Sequence, residues 1–509
     1  MNKKKTVILC IFDGWGLSKK KNDPFDATKK ASTPNFDFLR KKFPNSRLKA
    51  DGEGVGLPFG QIGNSEVGHQ TIGAGRVTLM NLPKINLDIQ NKSFSRNKNL
   101  NKLINDVQVT GGKIHLIGLI SNGGVHGHRN HLISLSNFIS KKNIKTKIHG
   151  FLDGRDGPLK SAKEDLRILN EELAEKIEVS SLSGRYYGMD RDNRWDRTKL
   201  CFDAIMHGKA KKCLNFFKTI DQSYKNKIFD EFFIPTCIEN YNGVDHDKDG
   251  VLFLNFRTDR ALQIFSSLCE PKFNKFDISN RAHFTNVTTL VNYSKKYKNF
   301  TNVLYKKENI KNTLGECISK SNMLQMRLSE TEKFPHVTYF FNGGNEVPFL
   351  NEDRCHIQSP NVSTYDLRPE MSADEITIKL KKFVELDKYD FILVNYANPD
   401  MVGHTGNFNA TVKACEVADQ KLGKILSFMK NKDVILILTS DHGNCEKMFD
   451  EKNKMPHTSH TLNEVPFIIV GLKDKVSLKN GSLSDIAPTI LSLLKLNKPE
   501  DMTGMNLII

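Results

Sequence analysis

The sequence predicts an α/β protein built on mostly parallel sheets. Three observations carry that prediction. Short apolar runs recur along the chain, and each ends in a glycine-rich or polar turn, as strands buried on both faces do. Charged segments with apolar residues at helical spacing lie between the runs, so strands and helices alternate. At 509 residues the chain is too long for one small core, and two or three domains are expected.

Taken in order, the first run is "TVILCIFDGWG" after a lysine-rich start. It mimics a signal peptide, but its seven apolar residues end in Asp13-Gly14 without a small-residue cleavage site, so it reads as a buried strand. The stretch from Gly60 to Arg76, "GQIGNSEVGHQTIGAGR", holds five glycines. Glycine weakens helix and strand interiors, so this stretch is expected to be a turn. It is either a passive phosphate cradle or a mount for Ser65 as a nucleophile. Further strands are expected in "KIHLIGLISNGGVHGH", "VLFLNFRTDR", "HVTYFFNGG", "FILVNYANPDMVGH", "VILILTSDHGN" and "PFIIVG". A helix is expected from Ser161 to Ile177, with Leu166, Leu169, Leu173 and Ile177 on one face and Ser161 with Glu164 as a capping box. The polar stretches around 81–93 and 295–312 read as linkers.

Composition narrows the class. No apolar run approaches the roughly 20 residues that span a bilayer, so no membrane association is expected. Nine cysteines without a CxxC pair argue against a disulfide framework or zinc cluster and for a reducing, cytoplasmic home. The net charge of +17 comes from lysines spread along the chain. It forms no one-sided patch of the kind nucleic-acid binding requires.

Chemistry concentrates where strands end, the working edge of open α/β sheets. Asp13 follows the first run, Asp400 and His404 follow "FILVNYANP", Asp441 and His442 follow "VILILTS", and His460 precedes "VPFIIVG". One strand-end aspartate is ordinarily a cap. Three aspartates and three histidines in such places suit a hard-to-borderline divalent ion such as manganese or zinc. Two ions would account for so many ligands and would clamp a phosphoryl group. A serine hydroxyl needs such activation to attack phosphate, which favours Ser65 as nucleophile over the passive cradle. Arg155, Arg185, Arg191, Arg257 and Arg260 also follow strands, and arginine there suits phosphate and carboxylate. Asp156 is either a proton acceptor or an arginine partner.

Together these motifs resemble the cofactor-independent phosphoglycerate mutases, whose metal half belongs to the alkaline phosphatase superfamily. The likeness runs from "FDGWG" through "GNSEVGHQTIGAGR", "GGVHGH", "DGRD", "GRYYGMDRD", "NFRTDRA", "KFPHVTYFFNGG" and "NPDMVGHTG" to "TSDHGN" and "SHT". It implies an isomerase of glycolysis and gluconeogenesis that interconverts 3- and 2-phosphoglycerate through a phosphoserine on Ser65, without 2,3-bisphosphoglycerate. It implies two Mn2+ ions, one on Asp400, His404 and His460, the other on Asp13, Ser65, Asp441 and His442. Substrate binding falls to His126, Arg155, Asp156, Arg185, Arg191, Arg257, Arg260 and Lys333, with Ser65, Asp156, Lys333 and Arg257 catalytic. The expected architecture is a metal-binding phosphatase domain in two parts, 1–80 and 309–509, with a transferase domain, 81–308, inserted. A cytoplasmic monomer acting on a small molecule, without nucleic acid or membrane, is expected. The chain departs from the family pattern at Gly127, Gly157 and Thr258, where serine, a bulkier residue and proline are usual.

Overall fold

Thr6–Phe12 is a strand with every residue buried, and its alternating side chains enter two different cores. Ile8, Cys10 and Phe12 join one apolar cluster, while Val7, Leu9 and Ile11 join another. This is why the run is apolar throughout: a strand covered on both faces has no polar face to show. The computed structural model describes residues 5–20, 22–306, 309–472 and 474–509. The chain divides into two units, Met1–Met80 with Glu308–Ile509, and Asn81–Lys307.

The first unit is built on an eight-stranded sheet ordered Glu352–Ile357, Gln325–Glu330, Phe391–Tyr396, Thr6–Phe12, Val434–Thr439, Val465–Val470, Asn45–Lys49 and Gly481–Ser482. The first five strands run parallel, and Val465–Val470 then pairs antiparallel on both sides. Asp13, Asp400 and Asp441 follow three adjacent parallel strands and so meet at one edge of this sheet.

The second unit has its own eight-stranded sheet: Asn302–Tyr305, Asn286–Val291, Gly250–Phe253, Ile114–Ile120, Thr146–Leu152, Ile177–Gly184, Thr236–Ile238 and Lys211–Cys213. All its pairings are parallel except that of Ile177–Gly184 with Thr236–Ile238. The α/β class with mostly parallel sheets holds for both units. Among the described residues no helix is long and apolar enough to cross a membrane.

Several local expectations fail, each for a tertiary reason. The glycine-rich stretch contains a helix, Ser65–Ala74. Its glycines are contact points: a Cβ on Gly68 would lie 2.7 Å from the Asp441 carbonyl oxygen, and one on Gly73 would lie 2.0 Å from that of Phe341. Close approach to neighbouring backbone outweighs the helix penalty of about 1 kcal/mol per glycine. The run "HVTYFF" is a π-helical turn, His336–Phe340, rather than a strand. Val337 and Phe341, four residues apart, are both fully buried, a helical spacing hidden in β-prone composition.

The helix expected from Ser161 to Ile177 spans only Ala162–Glu172, and Ile177 opens the next strand. Ser161 forms no cap; Asp230 Oδ2 instead accepts from the Ser161 and Ala162 N–H groups at 2.7 and 2.9 Å. The expected linkers also carry structure. Asn81–Gln90 is a helix with Ile85 buried, and Asn302–Tyr305 is the edge strand of the second sheet.

Candidate active site

Ser65 is the first residue of its helix, and Asn64 caps it by accepting from the Val67 N–H at 3.0 Å. The hydroxyl is buried among groups from three other segments. Ser65 Oγ lies 2.9 Å from His442 Nε2, 2.7 Å from Lys333 Nζ and 3.3 Å from Asp13 Oδ1. Lys333 Nζ also donates to Asp13 Oδ1 and Asp400 Oδ2, both at 2.6 Å. One ammonium thus touches three of the seven proposed metal-binding residues, Asp13, Ser65 and Asp400. The other four contact one or another of these three or, in the case of Asp441, His442.

Two donor sets are distinguishable. Asp400 Oδ1, His404 Nε2 and His460 Nε2 lie within 2.9–3.4 Å of one another. Asp13 Oδ1, Ser65 Oγ and Asp441 Oδ2 surround His442 Nε2 at 3.4, 2.9 and 3.5 Å. The three imidazoles share one device. His404, His460 and His442 each turn Nδ1 to a backbone carbonyl, of Thr458, Gly63 and Gly443. A proton held there leaves the Nε2 lone pairs converging, the state in which histidine binds metal.

Electrostatics point the same way. Asp13, Asp400 and Asp441 are essentially inaccessible to solvent. Burial, then the Asp441 carboxylate, pushes Asp13 up to about 7. Burial pulls the Lys333 ammonium down, but Asp13 and Asp400 outweigh it and raise it. Burial lowers His442 to about 4, keeping the ring neutral. Asp441 Oδ2, also buried, lies 3.2 Å from His69 Nδ1 and 3.5 Å from His442 Nε2. Two buried carboxylates share one ammonium, a third stands beside His442, and imidazole Nε2 atoms face them; a donor set of that composition fits divalent metal ions.

The second unit gathers the arginines, also at strand ends. Arg185 Nη1 donates to Asp153 Oδ1 and Asp156 Oδ2, both at 2.6 Å. Asp259 holds Arg191 Nη1 at 2.9 Å and Arg257 Nε at 3.2 Å. His126 stands between the two groups, Nε2 3.7 Å from Asp156 and Nδ1 3.6 Å from Asp259; burial, then Arg185, lowers it to about 4. Arg260 approaches the Met189 carbonyl at 3.5 Å. Burial, then the charges of Arg191, Arg185 and Arg155, lowers its pKa, so positive charge is in excess here. Arg155 is half exposed, like Arg191 and Arg257, with Glu231 3.6 Å away. Lys333 is the one substrate-binding candidate that falls in the first unit.

Sequence reasoning passed over the residues that hold these groups. His69 Nδ1 faces the Ser65 carbonyl at 2.9 Å, and Asn395 Nδ2 donates to His69 Nε2 at 3.1 Å and to Asp13 Oδ2 at 2.7 Å. Asn444 Nδ2 donates to Asp400 Oδ1 at 2.8 Å. His69 had a signal, being four residues after Ser65 in a stretch that turned out helical. Asp153 and Asp259 lie inside the quoted motifs, but the sequence assigns them no role.

Residues 5–498 match the model of the Metalloenzyme superfamily. The protein named 2,3-bisphosphoglycerate-independent phosphoglycerate mutase of Roseobacter denitrificans is 45% identical over 508 residues, covering 100% of both chains. That of Clostridium acetobutylicum is 47% identical over 511 residues, covering 99% of each. The crystal structure of Leishmania mexicana phosphoglycerate mutase at low cobalt concentration aligns with 30% identity and a TM-score of 0.63, over 99% of this chain and 98% of that one. Likeness of this depth, unbroken from end to end, places the chain in the metal-dependent family of 2,3-bisphosphoglycerate-independent phosphoglycerate mutases.

Proposed function

We propose that this protein interconverts 3- and 2-phosphoglycerate by way of a phosphoserine at Ser65. The carrying observation is the Ser65 hydroxyl, buried 2.7 Å from the Lys333 ammonium and 2.9 Å from His442 Nε2. Two manganese ions, one held by Asp400, His404 and His460 and the other by Asp13, Ser65, Asp441 and His442, would activate that hydroxyl and neutralise phosphoryl oxygens. Ser65 Oγ bonds to phosphorus as the bond to the glycerate oxygen breaks. Lys333, held by Asp13 and Asp400, faces the charge of the group in transfer.

The second half of the reaction falls to the other cluster. Arg155, Arg185, Arg191, Arg257, Arg260 and His126 retain the glycerate through its carboxylate and hydroxyls. The released oxygen needs a proton and the attacking hydroxyl gives one up. Asp156 carries that proton between them. On this reading residues 1–80 and 309–509 form the phosphatase domain and 81–308 the inserted transferase domain. The substrate is a small phosphorylated acid, and the protein acts as a cytoplasmic monomer.

The test supplies 3-phosphoglycerate and manganese without bisphosphoglycerate and follows 2-phosphoglycerate and free phosphate together. Stoichiometric 2-phosphoglycerate with little phosphate is expected. Mass spectrometry after brief incubation should find phosphate on Ser65. Phosphate release without 2-phosphoglycerate, or phosphate on a histidine, overturns the reading.

A further inference from the structure

We infer that Asp153 is the positioning residue of the glycerate-holding cluster, fixing Arg185 and Asp156 through a row of hydrogen bonds that starts at Ser121. The inference rests on the reading that Asp156 moves the glycerate proton and Arg185 holds the substrate.

The row follows from strand register. Ile120 pairs with Leu152, and Leu152 pairs with Gly184, across three adjacent parallel strands. Ser121, Asp153 and Arg185 are the next residues on those strands, so they stand side by side where the strands end. Ser121 Oγ donates to Asp153 Oδ2 at 2.6 Å. Asp153 Oδ1 accepts from Arg185 Nη1 at 2.6 Å, from the Asp156 N–H at 3.0 Å and from the Arg155 N–H at 3.3 Å. Ser121 is itself held, accepting from the Gly123 N–H at 3.0 Å.

One atom joins this row to the proton carrier. Arg185 Nη1 has two hydrogens, and its two carboxylate partners are Asp153 Oδ1 and Asp156 Oδ2. Asp153 therefore sets both the backbone of the loop bearing Asp156 and the guanidinium that touches its side chain. The Asp153 side chain is 0% exposed, whereas that of Asp156 is 22% exposed. Asp156 can meet substrate; Asp153 acts through it. Burial raises the Asp153 pKa, but its bonds to Ser121, the Asp156 N–H and Arg185 outweigh this and hold it below the usual carboxylate range.

The test measures kcat and KM for 2-phosphoglycerate formation by the manganese-loaded, full-length protein. The variants are Asp153→Asn, Ser121→Ala and Asp156→Asn, with the two doubles that contain Asp156→Asn. Asp153→Asn should raise KM and lower kcat by roughly 10–10²-fold, the scale of a misplaced reacting group. In the Asp156→Asn background the further loss in kcat should shrink to about twofold or less, since aim no longer matters once the carrier is gone. The KM increase should persist, because Arg185 is still released. Ser121→Ala should show the same pattern more weakly, and it decides the matter should Asp153→Asn fail to fold by circular dichroism. Wild-type kcat and KM in both single variants, or an equal kcat loss in both backgrounds, overturns the inference. Failure of the underlying reading looks different: the wild type itself would then form no 2-phosphoglycerate.

Discussion

The Nε2 atoms of His404 and His460 stand 2.9 Å apart, and each ring directs Nδ1 at a backbone carbonyl. Two lone pairs so placed repel unless a cation lies between them, and Asp400 Oδ1 is only 3.4 and 3.3 Å from the two nitrogens. His404→Ala should therefore lose bound metal and activity together. The affinity loss should exceed the ~10–100-fold typical of outer-shell changes. Chelation of the wild type should abolish turnover, with manganese restoring it. Metal content by elemental analysis is the direct check; an unchanged content in His404→Ala would remove this residue from the ligand set.

Gly73 tests the packing of the Ser65 helix. Its missing Cβ leaves room for the Phe341 carbonyl oxygen, which a methyl group would meet at 2.0 Å. Backbone, unlike the end of a flexible side chain, cannot turn aside, so Gly73→Ala must push the helix away from the turn that bears Phe341. Overpacking of this kind costs about 1–3 kcal/mol. Because Ser65 begins the same helix, kcat should fall as well. Denaturant titration and a rate measurement suffice, and wild-type stability with wild-type kcat would refute the idea.

The same glycines show what was legible in the sequence and what was not. Strands buried on both faces announce themselves by apolar runs, so Asp13, Asp400, Asp441 and their histidines could be placed at strand ends from sequence alone. The Ser65 helix could not be. Its glycines answer to the carbonyls of Asp441 and Phe341, hundreds of residues away, and local propensity contains no trace of those partners. His336–Phe340 failed likewise, since β-branched and aromatic residues fit a strand unless their buried positions are known. In the arginine cluster the cations stood out as a set, whereas Asp153 and Asp259 were invisible. An aspartate after a strand is ordinarily a turn or a cap, and only strand register reveals what it faces.

Glu330, three residues before Lys333, supplies a pH test read through stability rather than turnover. Its side chain is fully buried at the end of a parallel strand, accepting from Ser359 Oγ at 2.9 Å and the Ser372 N–H at 3.4 Å. Burial pushes it up to about 7 from a reference of 4.5. Between those values the folded protein keeps a proton that the unfolded chain releases, so this group lowers stability as pH rises through the window. Glu330→Gln removes the effect. The stability of this variant relative to wild type should improve from pH 5 to pH 8, by up to about 3 kcal/mol. Denaturant melts across that range are the measurement, and a difference that does not vary with pH would rule the account out.

Asp156→Asn separates a mutase from a phosphatase. If Ser65 carries the phosphoryl group as proposed, either glycerate or water can accept it. On the proposed reading glycerate succeeds only while the arginines and His126 hold it with its hydroxyl aimed, a proximity effect worth up to roughly 7–11 kcal/mol. Its hydroxyl must also lose a proton, and Asp156 Oδ2 offers a carboxylate oxygen oriented by Arg185 Nη1 at 2.6 Å. Asparagine can still accept that hydrogen bond through its amide oxygen but cannot take the proton. Loss of a general base typically costs about 10²–10⁴ in rate. The variant should therefore still phosphorylate Ser65 yet form 2-phosphoglycerate slower by that factor. A larger share of its residual turnover should end as free phosphate, because the stalled phosphoserine remains open to water. Simultaneous assay of both products, with mass spectrometry of Ser65, reads each part. Near-normal formation of 2-phosphoglycerate by Asp156→Asn would make Asp156 an arginine partner alone and place the base elsewhere.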